Sequence, residues 1–346
     1  CPGGVQFCAE EDADAVLHRA GEYRPIDDHE IALRLKSIRD DRDASWMGLD
    51  ESWSLGGNQG KFALAFINGR WCECMGSSPT THIFKNGVIG FKLEALNEFV
   101  CMKSAQRAGI ATANVEYRMF EDEPALIVER YDRVKVKDGT IRRLHQEDLC
   151  QALGVMPAQK YTADGGPTTR DIQELLVNTS HHQLNLYLFT QILFFNAIIG
   201  APDAHAKNYS LILDPASGIR LSPQYDAVAT RYWPEFNWEL TMPLNEDHAF
   251  AEHTTPQDWE DLATRHGLDG SRVADMARRM AGKVLAGISE SCEGLDARMA
   301  DRLNACWTKA NESIEPIMPG DEPANSLDPA SALPDSLGFP SSGRTI

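Results

Sequence analysis

Apolar residues alternate with polar ones through the strand-like segments of the first 145 positions, then recur at helical spacing through most of the remaining chain. That single change of period restricts the chain to α+β architectures in which strands and helices are segregated. Residues 61–67 and 70–74 flank Asn68-Gly69, the signature of a hairpin closed by a type I′ turn. A short apolar stretch follows at 82–85. Residues 93–108 then place Leu93, Leu96, Val100 and Met102 at helical spacing and stop at Gly109. Segments 115–119 and 125–129, with a hairpin over 134–144 turning at Asp138-Gly139, are expected to complete one sheet. From Gln146 onward helices are expected over 147–153, 169–178, 183–200, 256–266, 272–289 and 295–313, interrupted by short strands at 209–213 and 218–221.

The expected organisation is therefore a polar, acidic lead-in segment over 1–50 with a short helix at 28–38, and a β-rich lobe over 51–145. A helical lobe follows over 146–318. Residues 319–346, rich in Pro, Ser, Gly and Asp, are expected to be a disordered tail.

A formal net charge of −18 repels phosphate backbones and argues against direct, unaided binding to DNA or RNA. The basic groups at 130–133 and 142–143 read as solvated surface at least as readily as a phosphate site. The most apolar run, 184–200, is broken by Asn185, Gln191 and Asn196, so a buried helix is expected there rather than a membrane span. The 8 cysteines are scattered, which fits reduced thiols in the cytoplasm, and Cys72-Glu73-Cys74 lacks the spacing of a zinc site. The first residues show no basic-then-apolar signal segment.

The densest chemistry lies in Asp203-Ala204-His205-Ala206-Lys207-Asn208, between the apolar run and a strand. Kinase catalytic loops space a carboxylate and an amide this way, because the carboxylate meets an incoming hydroxyl while the amide oxygen holds magnesium. The hairpin after Asn208 returns the chain to Tyr225-Asp226, whose carboxylate would join Asn208 around a hard cation. Asp203 would be the base, with Asn208 and Asp226 as metal ligands. Singly, each could equally cap or close a turn.

Upstream, Ser54 to Lys61 includes Gly56, Gly57, Asn58, Gln59 and Gly60, whose backbone N–H groups could approach a phosphate; Phe62 stands where a Walker A loop requires a hydroxyl. Lys85, at a strand end, could reach the α- and β-phosphates while Glu98 on the next helix holds it. Glu129-Arg130-Tyr131 ends a strand where a hinge could present backbone groups to adenine.

These segments resemble the HipA-like family of bacterial toxin kinases. Further matches are Thr81 to Lys85, Val128 to Arg133, His145-Gln146-Glu147-Asp148, Gln159-Lys160-Tyr161 with Asp164-Gly165-Gly166-Pro167, and Leu221 to Asp226. The resemblance implies a protein-kinase-like two-lobed fold, with a β-rich N-terminal lobe and an all-helical C-terminal lobe. It implies that Gly56 to Phe62, Lys85, Glu129 to Tyr131, His205, Ala206, Lys207, Asn208, Tyr225 and Asp226 surround ATP and magnesium. It further implies autophosphorylation at Ser54, a protein substrate of translation such as an aminoacyl-tRNA synthetase, and a small helix-turn-helix antitoxin through which alone DNA would be met. A small-molecule kinase of related fold, or an inactive relative serving as a repression partner, remains open on the sequence alone.

Overall fold

The computed structural model describes residues 3–5, 8–40, 60–87, 93–233, 235, 239–245, 256–293 and 297–311. The first half is built on an antiparallel six-stranded sheet of β1 (Gly21–Pro25), β2 (Lys61–Ile67), β3 (Arg70–Gly76), β4 (His82–Lys85), β5 (Val115–Phe120) and β6 (Glu123–Glu129), in the order β1-β3-β2-β4-β6-β5. Asn68 and Gly69 take φ of 51° and 78°, the left-handed pair that a type I′ turn needs. Short helix α1 (Ala13–Leu17) precedes β1, and α2 (Asp28–Asp40) follows it.

One face of the sheet is closed by α2. Ile31, Leu35 and Ile38 meet Phe62, Leu64, Phe84, Phe120 and Ile127 in an apolar layer of their own. The other face is closed by α3 (Glu94–Arg107), where Leu96 and Val100 join Val115, Leu126 and Val128 in a core that runs on into the second half.

Two boundaries differ from expectation. Residues 21–40 are part of the sheet layer rather than a lead-in: β1 pairs with β3 from Gly21↔Gly76 to Pro25↔Cys72. As an exposed edge strand, β1 has no alternation to reveal it. The hairpin β7 (Arg133–Lys135) and β8 (Ile141–Arg143) forms a separate two-stranded ribbon and does not extend the large sheet.

The second half carries α4 (Leu149–Ala152), α5 (Thr169–Val177), α6 (His182–Ile199), α7 (Pro256–Thr264), α8 (Gly270–Cys292) and α9 (Ala297–Asn311). It is not wholly helical: β9 (His145–Asp148), β10 (Ser210–Asp214) and β11 (Gly218–Leu221) form a three-stranded sheet in the order β11-β10-β9. The helix expected from 147 starts later because Asp148 ends β9 and caps α4, its side chain accepting from Gln151 N while the Gln151 side chain accepts from Asp148 N.

Helix α6 is the buried axis of this half, and no helix among the described residues is long and apolar enough to cross a membrane. Two of the polar residues that interrupt its apolar run, Asn185 and Asn196, are ties. Asn185 accepts from Leu221 N, and Asn196 donates to the Tyr209 hydroxyl while accepting from Gln224. Such bonds leave few of these buried amide groups unpaired and fix α6 against the strands that carry the 203–226 segment. At its C-terminus Gly200 takes φ 68°, and the chain turns sharply into Ala201.

Helices α3 and α8 bind the two halves together. Ser104 Oγ donates to Val284 O, and a Cβ placed on Gly287 would lie 3.0 Å from Ser104 Oγ and 3.1 Å from its Cα. Glycine suits that point, because a side chain would crowd the Ser104 backbone and force it to give by a few tenths of an ångström.

The 130–133 cluster is the reverse of a solvated surface. Arg130 and Asp132 are buried, the Arg133 side chain is 5% exposed, and both guanidiniums converge on the Asp132 carboxylate at 2.8 and 2.9 Å. Asp132 also accepts from Gly3 N. Burial opposes the charge of Asp132, but the Arg130 and Arg133 guanidiniums outweigh it and hold the carboxyl below the usual range. Asp132→Ala should cost about 3–5 kcal/mol in urea unfolding at neutral pH, because it strips the shared carboxylate from two buried cations. Since the folded pKa is depressed, this stabilisation is present above the ordinary value of 3.8 and is lost as the pH falls through the lower folded value. An unchanged midpoint for the variant would contradict this account.

Candidate active site

Lys85 ends β4 directly opposite Lys61, the first residue of β2, so the register sets two lysines side by side at the ends of two central strands. Lys85 Nζ lies 2.8 and 3.0 Å from the two carboxylate oxygens of Glu98, which is fully buried on α3. The same ammonium lies 2.5 Å from Asp226 Oδ1. Burial works against charge on Lys85, but Asp226 and Glu98 outweigh it and raise its pKa, so it stays an ammonium. The same attraction overcomes the burial of Asp226 and holds its carboxyl at about 2. Lys61 moves the other way, lowered first by burial and then by the neighbouring Lys85 charge.

Asp226 has φ 57°, a left-handed conformation that Asp tolerates better than most side chains. Its second oxygen accepts from Asn208 Nδ2 at 2.8 Å. Asn208 closes a short 3-10 turn over Ala206–Asn208, its N–H donating to His205 O, while His205 N–H donates to Asp203 O. One connected set of polar contacts thus runs from Glu98 through Lys85 and Asp226 to Asn208, with Asp203 exposed at the head of the same loop.

The loop is anchored from several sides. Lys207 pairs with Asp148 at the end of β9, and the Tyr225 hydroxyl donates to Lys207 O while lying 2.7 Å from Ser210 Oγ. The Tyr225 ring packs 5.6 Å from that of Tyr131. His205 is buried with its ring edge against Tyr161, and burial followed by the charge of Lys160 pushes its pKa down.

Residues 53–288 match the family described as HipA-like C-terminal domain. The chain belongs to that family. A putative kinase, Y4mE, of Sinorhizobium fredii is 37% identical over 216 residues, covering 62% of this chain and 51% of the relative. The serine/threonine-protein kinase toxin HipA of Shewanella oneidensis is 30% identical over 239 residues, covering 65% of this chain and 54% of the relative. This HipA-like chain therefore spans about half the length of the curated relatives it matches. Its fold superimposes on the Shewanella oneidensis MR-1 HipA solved with HipB and operator DNA, with TM-score 0.71 and 25% identity over 85% of this chain and 72% of that one.

Of the residues expected around the site in this HipA-like chain, Lys85, Asn208, Asp226, Tyr225 and Tyr131 are brought together. Gly60 leads into β2, which Lys61 and Phe62 begin, and Phe62 turns into the apolar layer under α2. Ser54, Gly56, Gly57, Asn58 and Gln59 lie outside the described residues, as does the 319–346 tail. Glu129 and Arg130 point elsewhere: Glu129 accepts from Asn114, Arg130 is held by Asp132 and Thr80, and their backbone N–H groups are engaged by Asn114 O and Thr81 O. Ala206 is fully buried. Two features escaped sequence reasoning as site elements, the Asp148 partner of Lys207 and the contact of Tyr161 with the Asp203 loop. Both join residues far apart in the chain with no spacing rule between them.

Proposed function

We propose that this HipA-like chain is an ATP- and magnesium-dependent serine/threonine protein kinase. The carrying observation is the Glu98, Lys85, Asp226 and Asn208 set, which joins the end of a sheet strand, the helix beneath it and a catalytic-type loop. The site suits a hard cation: Asn208 Oδ1 is a buried oxygen without a hydrogen-bond partner, and it belongs to the same amide that touches the Asp226 carboxylate. Among the described residues no three His, Cys, Asp or Glu side chains gather into a cage of their own. That fits magnesium, which is commonly held by one or two protein oxygens and completed by phosphates and water. When bound, magnesium neutralises charge on the phosphate oxygens.

Lys85 would take the α- and β-phosphates, its ammonium maintained by Glu98. Asp203, exposed beside Asn208, would accept the proton of the incoming hydroxyl as the acceptor oxygen bonds to the γ-phosphorus and ADP departs. The acceptor hydroxyl would belong to a protein of the translation machinery, such as an aminoacyl-tRNA synthetase, with Ser54 in the phosphate loop as a site of autophosphorylation. A basic helix-turn-helix antitoxin would be the partner, with DNA met only through it. The operator complex of the similar HipA and the acidic balance of this chain both support that reading. The place of action would be the cytoplasm.

Incubation with γ-labelled ATP and magnesium should label Ser54 or a translation protein, as located by phosphopeptide mapping. Binding of ATP without any transfer would refute the kinase reading and leave an inactive relative of the family.

A further inference from the structure

The arginines at 142 and 143 take no part in the proposed chemistry. Both line an open cavity of about 400 Å³, bounded by Gly4 and Val5, the step from β8 to β9 and the tip of the β10–β11 hairpin. Val5, Leu213 and Pro215 supply apolar wall, while Arg142, Arg143, His145 and Asp214 supply the polar groups. The cavity is remote from the cleft. Strand β10 starts at Ser210, just past Asn208, and reaches the cavity only at Leu213 and Asp214, roughly 10 Å further along the strand.

Charge beside this cavity is uneven. The register of the β7–β8 ribbon sets Arg143 directly opposite Arg133. The Asp132 carboxylate is already shared between the Arg130 and Arg133 guanidiniums, at 2.8 and 2.9 Å. Arg143 is left half-buried with Nη2 donating to Ser77 O at 2.8 Å, and among the described residues no carboxylate pairs with it. Burial, then the Arg130 charge, push its pKa down, as expected of a cation that lacks a counter-charge. Arg142 meets Asp214 at a loose 3.6 Å. That carboxylate is engaged within its own turn, accepting from Ala216 N at 3.1 Å and Ser217 Oγ at 2.9 Å. His145 adds a ring whose Nδ1 is buried without a hydrogen-bond partner and whose Nε2 lies 3.5 Å from Glu147.

The geometry points to a binding site for a phosphate dianion, free or carried as a monoester, gripped between the Arg142 and Arg143 guanidiniums. Two forked cations match the near-double negative charge of a phosphate at neutral pH, and each fork can take a pair of its oxygens. A carboxylate, with one charge and two oxygens, would leave one guanidinium unmatched. The apolar wall gives a small organic group on the phosphate somewhere to lie. A surplus of cations held beside a cavity also runs against the net charge of −18, so overall composition does not account for it. The site lies outside the cleft and does not depend on the kinase reading.

The test uses the full chain labelled with 15N-arginine. Inorganic phosphate and O-phosphoserine are titrated separately, with acetate as the control, while the Arg142 and Arg143 Nε–H signals are followed. Each signal is assigned by its loss in Arg142→Gln or Arg143→Gln. Both should shift saturably with a phosphate ligand and stay in place with acetate. Tighter binding of O-phosphoserine marks a phosphorylated side chain as the source, and tighter binding of inorganic phosphate marks the free ion; either supports the site. In Arg142→Gln the midpoint read on the Arg143 signal should rise roughly 10-fold or more, the weight of one hydrogen-bonded charge pair. The Arg142 side chain is 48% exposed and its contact with Asp214 is loose, so this variant should unfold at the wild-type midpoint. Signals that stay still, that respond equally to acetate, or that keep the wild-type midpoint in Arg142→Gln would overturn the proposal.

Discussion

Asp203→Ala is expected to reduce phosphoryl transfer by roughly 100- to 10,000-fold, the usual contribution of a positioned general base, while ATP binding stays near wild type. The fold should tolerate the change. Asp203 is exposed, and the turn is built by backbone bonds from His205 N to Asp203 O and from Asn208 N to His205 O. Lys85, Asn208 and Asp226, which would meet the nucleotide and metal, hold one another without it. Initial rates with labelled ATP, paired with a nucleotide titration on the same preparation, separate the two effects. Transfer at the wild-type rate by the alanine variant would remove Asp203 from the chemistry.

Asp226→Asn should reduce transfer by roughly 100- to 1,000-fold, the scale seen when a group that stabilises transition-state charge is removed. It should also raise the magnesium concentration needed for half-maximal rate. Asn keeps the size of the side chain and accepts the left-handed φ of 57° at this position, so the backbone is expected to stay in place. What is lost is the negative charge that joins Lys85 to Asn208. Because Lys85 keeps Glu98 at 2.8 Å, the ammonium is not left alone, and the defect should lie in metal use rather than in unfolding. A magnesium titration superimposable on that of the wild type would refute the assignment of Asp226 as a metal ligand.

Much of this site could be read from local sequence. The Asn68-Gly69 turn, the strand ending in Lys85, the helix carrying Glu98 and the five-residue step from Asp203 to Asn208 depend on rules that act within a few residues. Where the rules failed, the determining contact was distant or the pattern was absent. Strand β1 alternates nothing because it lies exposed at a sheet edge, and β9 is a run of four half-buried polar residues. Arg130, Asp132 and Arg133 look like surface in one dimension, since nothing local tells that a carboxylate will sit buried between two guanidiniums. At the hinge expected over 129–131, the inward Arg130 side chain leaves only backbone groups to face outward, and the Glu129 and Arg130 N–H groups are bonded to Asn114 O and Thr81 O. The contact of Tyr161 with the Asp203 loop was beyond reach because its ring meets His205 from a separate segment of the chain.

The close approach of α3 to α8 removes a degree of freedom. Glu98 is fully buried on α3, so a shift of that helix large enough to draw it away from Lys85 would disturb the packing of the helix itself. Val100, Cys101, Met102 and Ala105 of α3 share one apolar core with Val284 and Ile288 of α8, and at Gly287 the two backbones nearly touch. Withdrawing Glu98 would therefore mean opening the core of the second half, not swinging a surface helix. The Lys85 ammonium is in effect welded to the frame through Glu98. The Lys85 and Glu98 pair is therefore expected to stay assembled whatever happens at the parts outside the weld.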